Sequence, residues 1–491
     1  MNLVELVHVA AGRHAQQPAV TDLRSGRSLT YGALEREVER VHRFLRGEGV
    51  KPGQRIGLLA PNGPGYLPAA FGLLATGACL VPIAANLTPT EIGTIASEVQ
   101  VNGCLAWPGA DPLPRAGLPR TLSGGECDGF AFQWLARDVD GPADLGRLNP
   151  AFIRFTSGTT ADRKGVVLSH EATAARVEAA DRVLGFTEAD RILWVLPLAY
   201  HFAVTIVAYV RAGAHVLLCP DTLPATIVDA IRRRRATVFY ASPLHFERMS
   251  QLASTGRLDG IRLALSTSAP IAPAVMERFE ALYGVPVGQA YGIIEAGLPC
   301  INRGFDGLPP GSVGRAVPGY EVAALSDTGE PLPPGTPGEI GLRGDGLFSA
   351  YYTPWRLREQ IARDGWFLTG DIGRLDAHGA LFLEGRKKSV IFVAGLKFFP
   401  EEVEACINQF PGVKESRVFG SPHPHLGQVP RAEVAFATPP PDLDAVRAHC
   451  ARALSPYKVP VEFIVVEATA KTAGGKTLRR PGPTSVPVEL P

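Results

Sequence analysis

Through the first two-thirds of this chain, short apolar segments alternate with segments of helical spacing. RIGLLAPNG, TVFYASP and IRLALSTSAP each run from an apolar strand into a turn. Between them lie YLPAAFGLLATG, EIGTIASEVQ and PATIVDAIRRRR, which repeat their apolar residues at helical intervals. Alternation of this kind predicts an α/β fold, with layers of helices on parallel sheets. Ligands of such sheets sit beyond the carboxyl ends of the strands, where these turns lie. At 491 residues the chain exceeds one ordinary core, so at least two domains are expected.

The texture changes after residue 305. FDGLPPGSVGRAVPGYEV and GEPLPPGTPGEIGLRGD are rich in glycine, proline and β-branched residues, which predicts a β-rich subdomain over 305–387. From 388 to 491 the pattern is that of a small α+β domain. A strand is expected at VIFVAG and a helix from Pro400, where a proline at the first position and Glu401 and Glu402 suit a helix start. Strands follow at SRVFG, EVAFAT and EFIVVEA, and a helix from Asp442 should stop before Ser455 and Pro456. The closing RRPGPTSVPVELP is too proline-rich for a packed element and reads as a tail.

Composition removes several classes of function. A formal net charge of +1 argues against a dedicated nucleic-acid surface or a polybasic membrane surface. The run Arg232–Arg235 reads as the solvated end of a helix feeding a strand over 237–241. The most apolar long stretch, LPLAYHFAVTIVAYVRAGAHVLL, is interrupted by His201 and Arg211, which favours a buried helix and strand over a membrane span. Glu5, His8 and Arg13 interrupt any export signal at the start. Seven scattered cysteines without a CxxC pair suit reduced thiols, so a cytoplasmic location is expected.

The segment RFTSGTTADRKGVVLSH gathers Thr156, Ser157, Thr159 and Thr160 around Gly158, then adds Arg163 and Lys164. Backbone N–H groups in such a turn can converge on an anion, hydroxyls add donors without bulk, and two cations serve more than one phosphate oxygen. A mononucleotide phosphate loop would read G-x-x-x-x-G-K-[ST]. Gly165 is followed by Val166, and GGKT at 474–477 has Ala470 where the first glycine belongs, with prolines instead of a helix behind it. That rival fails on spacing and on context.

FTSGTTADRKGV is similar to the phosphate-loop signature of the adenylate-forming superfamily, which comprises acyl-CoA synthetases, peptide-synthetase adenylation domains and luciferases. LPLAYHF, STSAP, YGIIEAG, GEIGLRGDGLFSAYY, DGWFLTGDIG, LEGRKKSVIFVAGLKFFPEEVE and a terminal GGKTLRR follow in the family's order across most of the chain. The resemblance implies that a carboxylate joins the α-phosphate of ATP, leaving acyl-AMP, and that a thiol then takes the acyl group. It further implies that Thr156, Ser157, Gly158, Thr159, Thr160 and Lys164 cradle the β- and γ-phosphates. Ser268, Ala269 and Pro270 would pass beside the adenine, Tyr291 would stack on it within the YG step to Gly292, and Glu295 would hold Mg²⁺. Asp371 and Arg386 would hold the ribose, and His201, between Tyr200 and Phe202, would guard the acyl-pocket entrance. Lys476 would bridge the carboxylate and the α-phosphate, Lys388 would be the hinge of a mobile C-terminal domain, and Gly395 would line a pantetheine passage. The chain departs from the family pattern at Ala161, Arg163, Ile294 and Phe392, where glycine, proline, threonine and lysine are usual.

The reading that results is an acyl-CoA ligase with residues 1–387 binding ATP and acid and residues 388–491 carrying the catalytic lysine. Its substrates would be ATP with Mg²⁺, an organic acid (fatty or aryl) and coenzyme A. An acyl-AMP ligase that loads a carrier-protein phosphopantetheine or an amine stays open, as does a nucleotide-binding homologue without turnover. No nucleic-acid partner and no stable membrane insertion are expected.

Overall fold

A computed structural model describes residues 2–108, 120–155, 164–253, 256–393, 396–437 and 442–469. The chain divides into two compact units, residues 1–322 with 342–367, and residues 323–341 with 368–491. The α/β expectation holds in the first unit, which contains two nine-stranded sheets. In one, the strands Pro18–Asp22, His215–Leu218, Arg191–Trp194, Val238–Ala241, Leu263–Ser266 and Val287–Ile293 run parallel in that spatial order, and antiparallel strands close both edges. In the other, Pro150–Phe155, Cys79–Ala84, Arg55–Ala60 and Gly103–Ala106 form the parallel centre.

These strands are apolar because helices cover both of their faces. Arg55–Ala60 is buried along its whole length, and the helix Tyr66–Ala75 is buried from Tyr66 to Leu74. Helix starts are marked as their chemistry requires. Thr88 and Glu91 form a reciprocal capping box ahead of Pro89–Glu98, and the Thr30 hydroxyl accepts the Ala33 N–H ahead of Tyr31–Gly47. The segment expected as a buried helix and strand is Leu198–His201, one wide turn over Phe202–Ile206, the helix Val207–Ala212 and the strand His215–Leu218. Arg232–Arg235 are exposed, as a solvated helix end should be. Among the described residues no helix is long and apolar enough to cross a membrane.

The second unit holds most of a four-stranded sheet, whose strands Phe367–Leu375 and Leu381–Arg386 pair antiparallel. It also holds a five-stranded sheet built from Leu396–Phe398, Ile391–Val393, Gly427–Phe436, Val413–His423 and Glu462–Val466. The helices Pro400–Asn408 and Leu443–Ala453 pack on it around Val403, Ile407, Val446 and Cys450. Asp442 caps the second helix by accepting the Asp444 N–H, as its position suggested.

All seven cysteine thiols are free, and all but Cys219 are buried. Burial also holds His170, His215 and His245 down to about 4, well below the usual 6.5. The His170 Nδ1 accepts the Leu3 N–H at 3.1 Å, a role only the neutral ring can fill. A folded-state value below the unfolded one means that the neutral rings contribute stability fully above about pH 6.5 and lose it as the pH falls toward 4. The melting temperature is therefore expected to decline between pH 6.5 and 4, with a shallower decline in His170→Gln. A flat profile across that window in the unmutated chain would refute this assignment.

Candidate active site

Parallel strands that share a sheet end on one edge, so the turns after Trp194, Ala241, Ser266 and Ile293 lie side by side. Three of these turns carry LPLAYHF, STSAP and YGIIEAG. The fold has thus assembled the loops that the alternation predicted, each from a different strand.

The YGIIEAG turn is built by close packing. A side chain at Gly292 would meet the Gly297 carbonyl oxygen and the Leu298 side chain, each at 2.8 Å, so only glycine lets the chain double back here. Tyr291 is buried in the strand opposite Cys300, and Glu295 is partly buried at the turn. Beneath the turn, Arg176 from the helix His170–Leu184 donates to the carbonyls of Ile294 at 2.8 Å, Glu295 at 3.1 Å and Gly346 at 2.9 Å. The Tyr320 hydroxyl donates to the Ala296 carbonyl, and the Phe348 N–H to that of Glu295 at 2.7 Å. The backbone of Glu295 is therefore fixed from two sides.

Its side chain meets the other sheet. Tyr351, on a strand paired with Gly165–Ser169, donates its hydroxyl to Glu295 Oε1 at 3.0 Å. The Lys164 ammonium lies over the Tyr351 ring, 4.3 Å from its centre. Burial, reinforced by the Glu295 charge, pushes the Tyr351 hydroxyl far above its ordinary range, so it stays a donor. One ring thus joins the expected phosphate-binding lysine to the expected metal-binding carboxylate. Among the described residues no group of three or more His, Cys, Asp or Glu side chains could hold a metal by itself. A single carboxylate suits Mg²⁺, which is commonly held by one or two carboxylates together with substrate phosphates.

His201 stands at the next turn with its ring 5.7 Å from Trp194 and 6.0 Å from Tyr240, while those two rings stack on each other at 5.9 Å. Asn62 fixes the entry to this segment: its amide donates to Leu196 O and its carbonyl accepts Leu198 N–H, both at 2.8 Å. Tyr200 is half-buried beside His201. Phe202 is fully buried against Tyr66, Phe71 and Phe152, so it is a wall of the core instead of a gate. In STSAP, Ser268 is half-buried at φ +76°, a left-handed conformation that costs a non-glycine residue strain and recurs at functional turns. Ala269 and Pro270 are exposed beside it.

In the second unit, Asp371 and Arg386 are brought together as register partners of the strand pair 367–375 and 381–386, with Arg386 Nε 2.6 Å from Asp371 Oδ1. Glu339 braces the same end of the pair. It accepts from Gly370 N–H at 3.2 Å and from Lys387 Nζ at 2.8 Å. The Lys388 backbone follows in the short turn Lys387–Ser389, and its side chain is not among those described. Thr156, Ser157, Gly158, Thr159, Thr160, Gly395 and Lys476 lie outside the described residues.

Four residues were not singled out by the sequence: Tyr351, Arg176, Asn62 and Glu339. Tyr351 stands inside the quoted GEIGLRGDGLFSAYY, and Glu339 near its start, so position alone could have raised them. Arg176 reads as one more polar residue of an amphipathic helix, and Asn62 as a turn former.

Comparison with known proteins gives the chain its family. The AMP-binding enzyme family model matches residues 7–352, and that for the AMP-binding enzyme C-terminal domain matches residues 402–476. The chain is 29% identical to a sulfoacetate–CoA ligase of Cupriavidus necator, covering 97% of this chain and 96% of that protein. It is also 29% identical to a feruloyl-CoA synthase of an Amycolatopsis species, covering 95% and 96%. Among solved structures, ATP-bound MatB from Rhodopseudomonas palustris superposes with a TM-score of 0.83 at 24% identity over 97% of both chains. The o-succinylbenzoate CoA synthetase of Bacillus subtilis gives 0.83 at 22% identity over 99% of both. These two share the fold, a large N-terminal domain followed by a small C-terminal one. With its family signature spanning both parts of the sequence, the chain belongs to the AMP-binding enzymes, the adenylate-forming superfamily, and stands close to the acyl-CoA ligases within it.

Proposed function

We propose that this protein uses ATP to activate an organic carboxylic acid and passes the acyl group to the thiol of coenzyme A. A carboxylate oxygen of the acid bonds to the α-phosphorus as the bond to pyrophosphate breaks, giving acyl-AMP. The thiol sulfur, its proton lost to solvent, then attacks the acyl carbon and AMP leaves. The observation that carries this reading is the Lys164–Tyr351–Glu295 cluster at the carboxyl ends of the strands. It gathers a phosphate cation and a hard carboxylate where two anions would have to meet. The sulfoacetate–CoA ligase and feruloyl-CoA synthase relatives support coenzyme A as the acceptor and an organic acid as the substrate.

The remaining residues take roles by the same reading. The loop 156–160 with Lys164 holds the β- and γ-phosphates, Tyr291 and Gly292 with Ser268, Ala269 and Pro270 form the adenine cleft, and Asp371 with Arg386 holds the ribose. Mg²⁺, bound through Glu295, would offset phosphate charge. His201 borders the acid. Residues 388–491 form the domain that turns on Lys388 against residues 1–387, with 305–387 the β-rich part of the latter. Turning exchanges Lys476 for the Gly395 loop as the second step begins.

Acid-dependent exchange of labelled pyrophosphate into ATP tests the first step, and thioester formation with coenzyme A against a pantetheinylated carrier protein tests the second. Exchange with at least one acid and a thioester with coenzyme A are expected. Silence across a broad acid panel would leave a nucleotide-binding protein without turnover, and a thioester only with the carrier would move the acceptor.

A further inference from the structure

One cation near this site has no role in the account above. Arg154 lies on the strand Pro150–Phe155, two residues before the hydroxyl-rich loop, and is only 6% exposed. Successive residues of a strand face opposite sides. Ile153 belongs to an apolar cluster with Ile83, Val99 and Val167, and Phe155 packs on the same cluster. Phe152 points the other way, where its ring meets Phe202 of the LPLAYHF segment at 6.2 Å. Arg154 shares that face with Phe152, so it is turned toward the aromatic residues around the LPLAYHF segment and not toward the cluster.

What it meets there does not account for it. Among the described residues Arg154 makes no hydrogen bond and no ion pair, although a guanidinium carries five N–H donors. The Tyr66 hydroxyl is likewise buried without a hydrogen-bond partner, and its ring lies 5.8 Å from Phe202. Burial pulls the Arg154 guanidinium down to about 10. The nearby hydroxyl of Tyr66 offsets this in part, as do Tyr200 and Glu295, whereas Arg176 adds repulsion. A buried guanidinium without a paired anion or carbonyl acceptors is costly, and a ligand anion would supply what the described residues do not.

Phosphate binding explains the arrangement less well. In the reading above Lys164 takes that role beside Glu295, whereas Arg154 shares its strand face with Phe152 and stands with Tyr66 among aromatic rings. We propose that Arg154 and the Tyr66 hydroxyl together recognise a second anionic group on the acid, so that the substrate class is a short carboxylic acid with a distal carboxylate or sulfonate. This rests on the acid-activating reading above and narrows it. Arg154 lies close enough to Tyr200 and Glu295 for their charges to act on it, which keeps the second anionic group near the reacting end and points to a short spacer between the two acid groups.

The test is pyrophosphate release with matched acids: malonate against propionate, succinate against butyrate, and sulfoacetate against propionate. The unmutated enzyme is expected to favour one or more of the dianionic acids in kcat/KM by roughly 10²-fold or more. Arg154→Gln should lower that dianion-to-monoacid ratio by about 10²–10³-fold, Arg154→Lys by less, and Tyr66→Phe by about 10-fold. An ATP-induced rise in melting temperature checks that each variant is folded and still binds nucleotide. Preference for a carboxylate or a sulfonate identifies the distal group. An active enzyme without a dianion preference overturns this inference alone, as does a folded Arg154→Gln that slows every acid in equal proportion. Failure of every acid, mono- or dianionic, to release pyrophosphate overturns the activation reading itself.

Discussion

Lys476→Ala is expected to slow acid-dependent pyrophosphate exchange by roughly 10²–10³-fold, the cost of removing one preorganised charge donor from a transition state. Carboxylate and α-phosphate repel, and a single ammonium able to touch both lowers the barrier to their union more than it stabilises either alone. Lys476 stands in GGKTLRR behind two glycines, a setting that suits a movable donor. In the proposed cycle the domain carrying it has turned away before the thiol attacks, so transfer from supplied acyl-AMP to coenzyme A should be nearly spared. Single-turnover measurements of each half-reaction separate the two effects. Equal loss in both steps, or exchange at the unmutated rate with chemistry rate-limiting, would overturn the role.

Arg176→Met should be the most damaging substitution in the first unit, removing about 3–5 kcal/mol of stability. Arg176 is 2% exposed and donates to three carbonyls from two separate segments, 294–295 and 346. Methionine fills part of its volume but leaves those oxygens without their donor. A side chain at Gly297 would come within 2.9 Å of Arg176 Cδ, so the turn is fitted tightly to its stem. Arg176→Lys should recover little, because an ammonium cannot span three acceptors arranged for a planar fork. The same turn carries Glu295, so any folded variant should also need more Mg²⁺ for half-maximal activity. Urea unfolding and a Mg²⁺ titration measure the two consequences. A variant with unmutated stability and unmutated Mg²⁺ dependence would refute the assignment of Arg176 as the positioning residue of this turn.

Much of the molecule could be read from residue order because the deciding forces are local. Apolar strands and helical spacing predicted the α/β layers, and Pro400 and Asp442 marked the two helix starts of the C-terminal region. The pairing of Asp371 with Arg386 was foreseen only as a shared role, yet the strand register makes them direct neighbours. Phe202 went the other way: its place beside His201 suggested a gate, and packing against three aromatic rings made it core.

By itself the sequence determined the layer type, the order of the signature segments and the chemical kinds of residue available for handling phosphate and carboxylate. These depend on periodicity and on turn chemistry, which neighbours along the chain dictate. Tertiary structure alone decided that Tyr351 would join Lys164 to Glu295, that Arg176 would brace the turn beneath them, and that Arg154 would be buried on the Phe152 face of its strand without an ion pair among the described residues. Those contacts link residues far apart in the chain, 56 positions for Tyr351 with Glu295 and 118 to 170 for Arg176 with its carbonyls, and their energies come from burial and hydrogen bonds that exist only once the two sheets have packed.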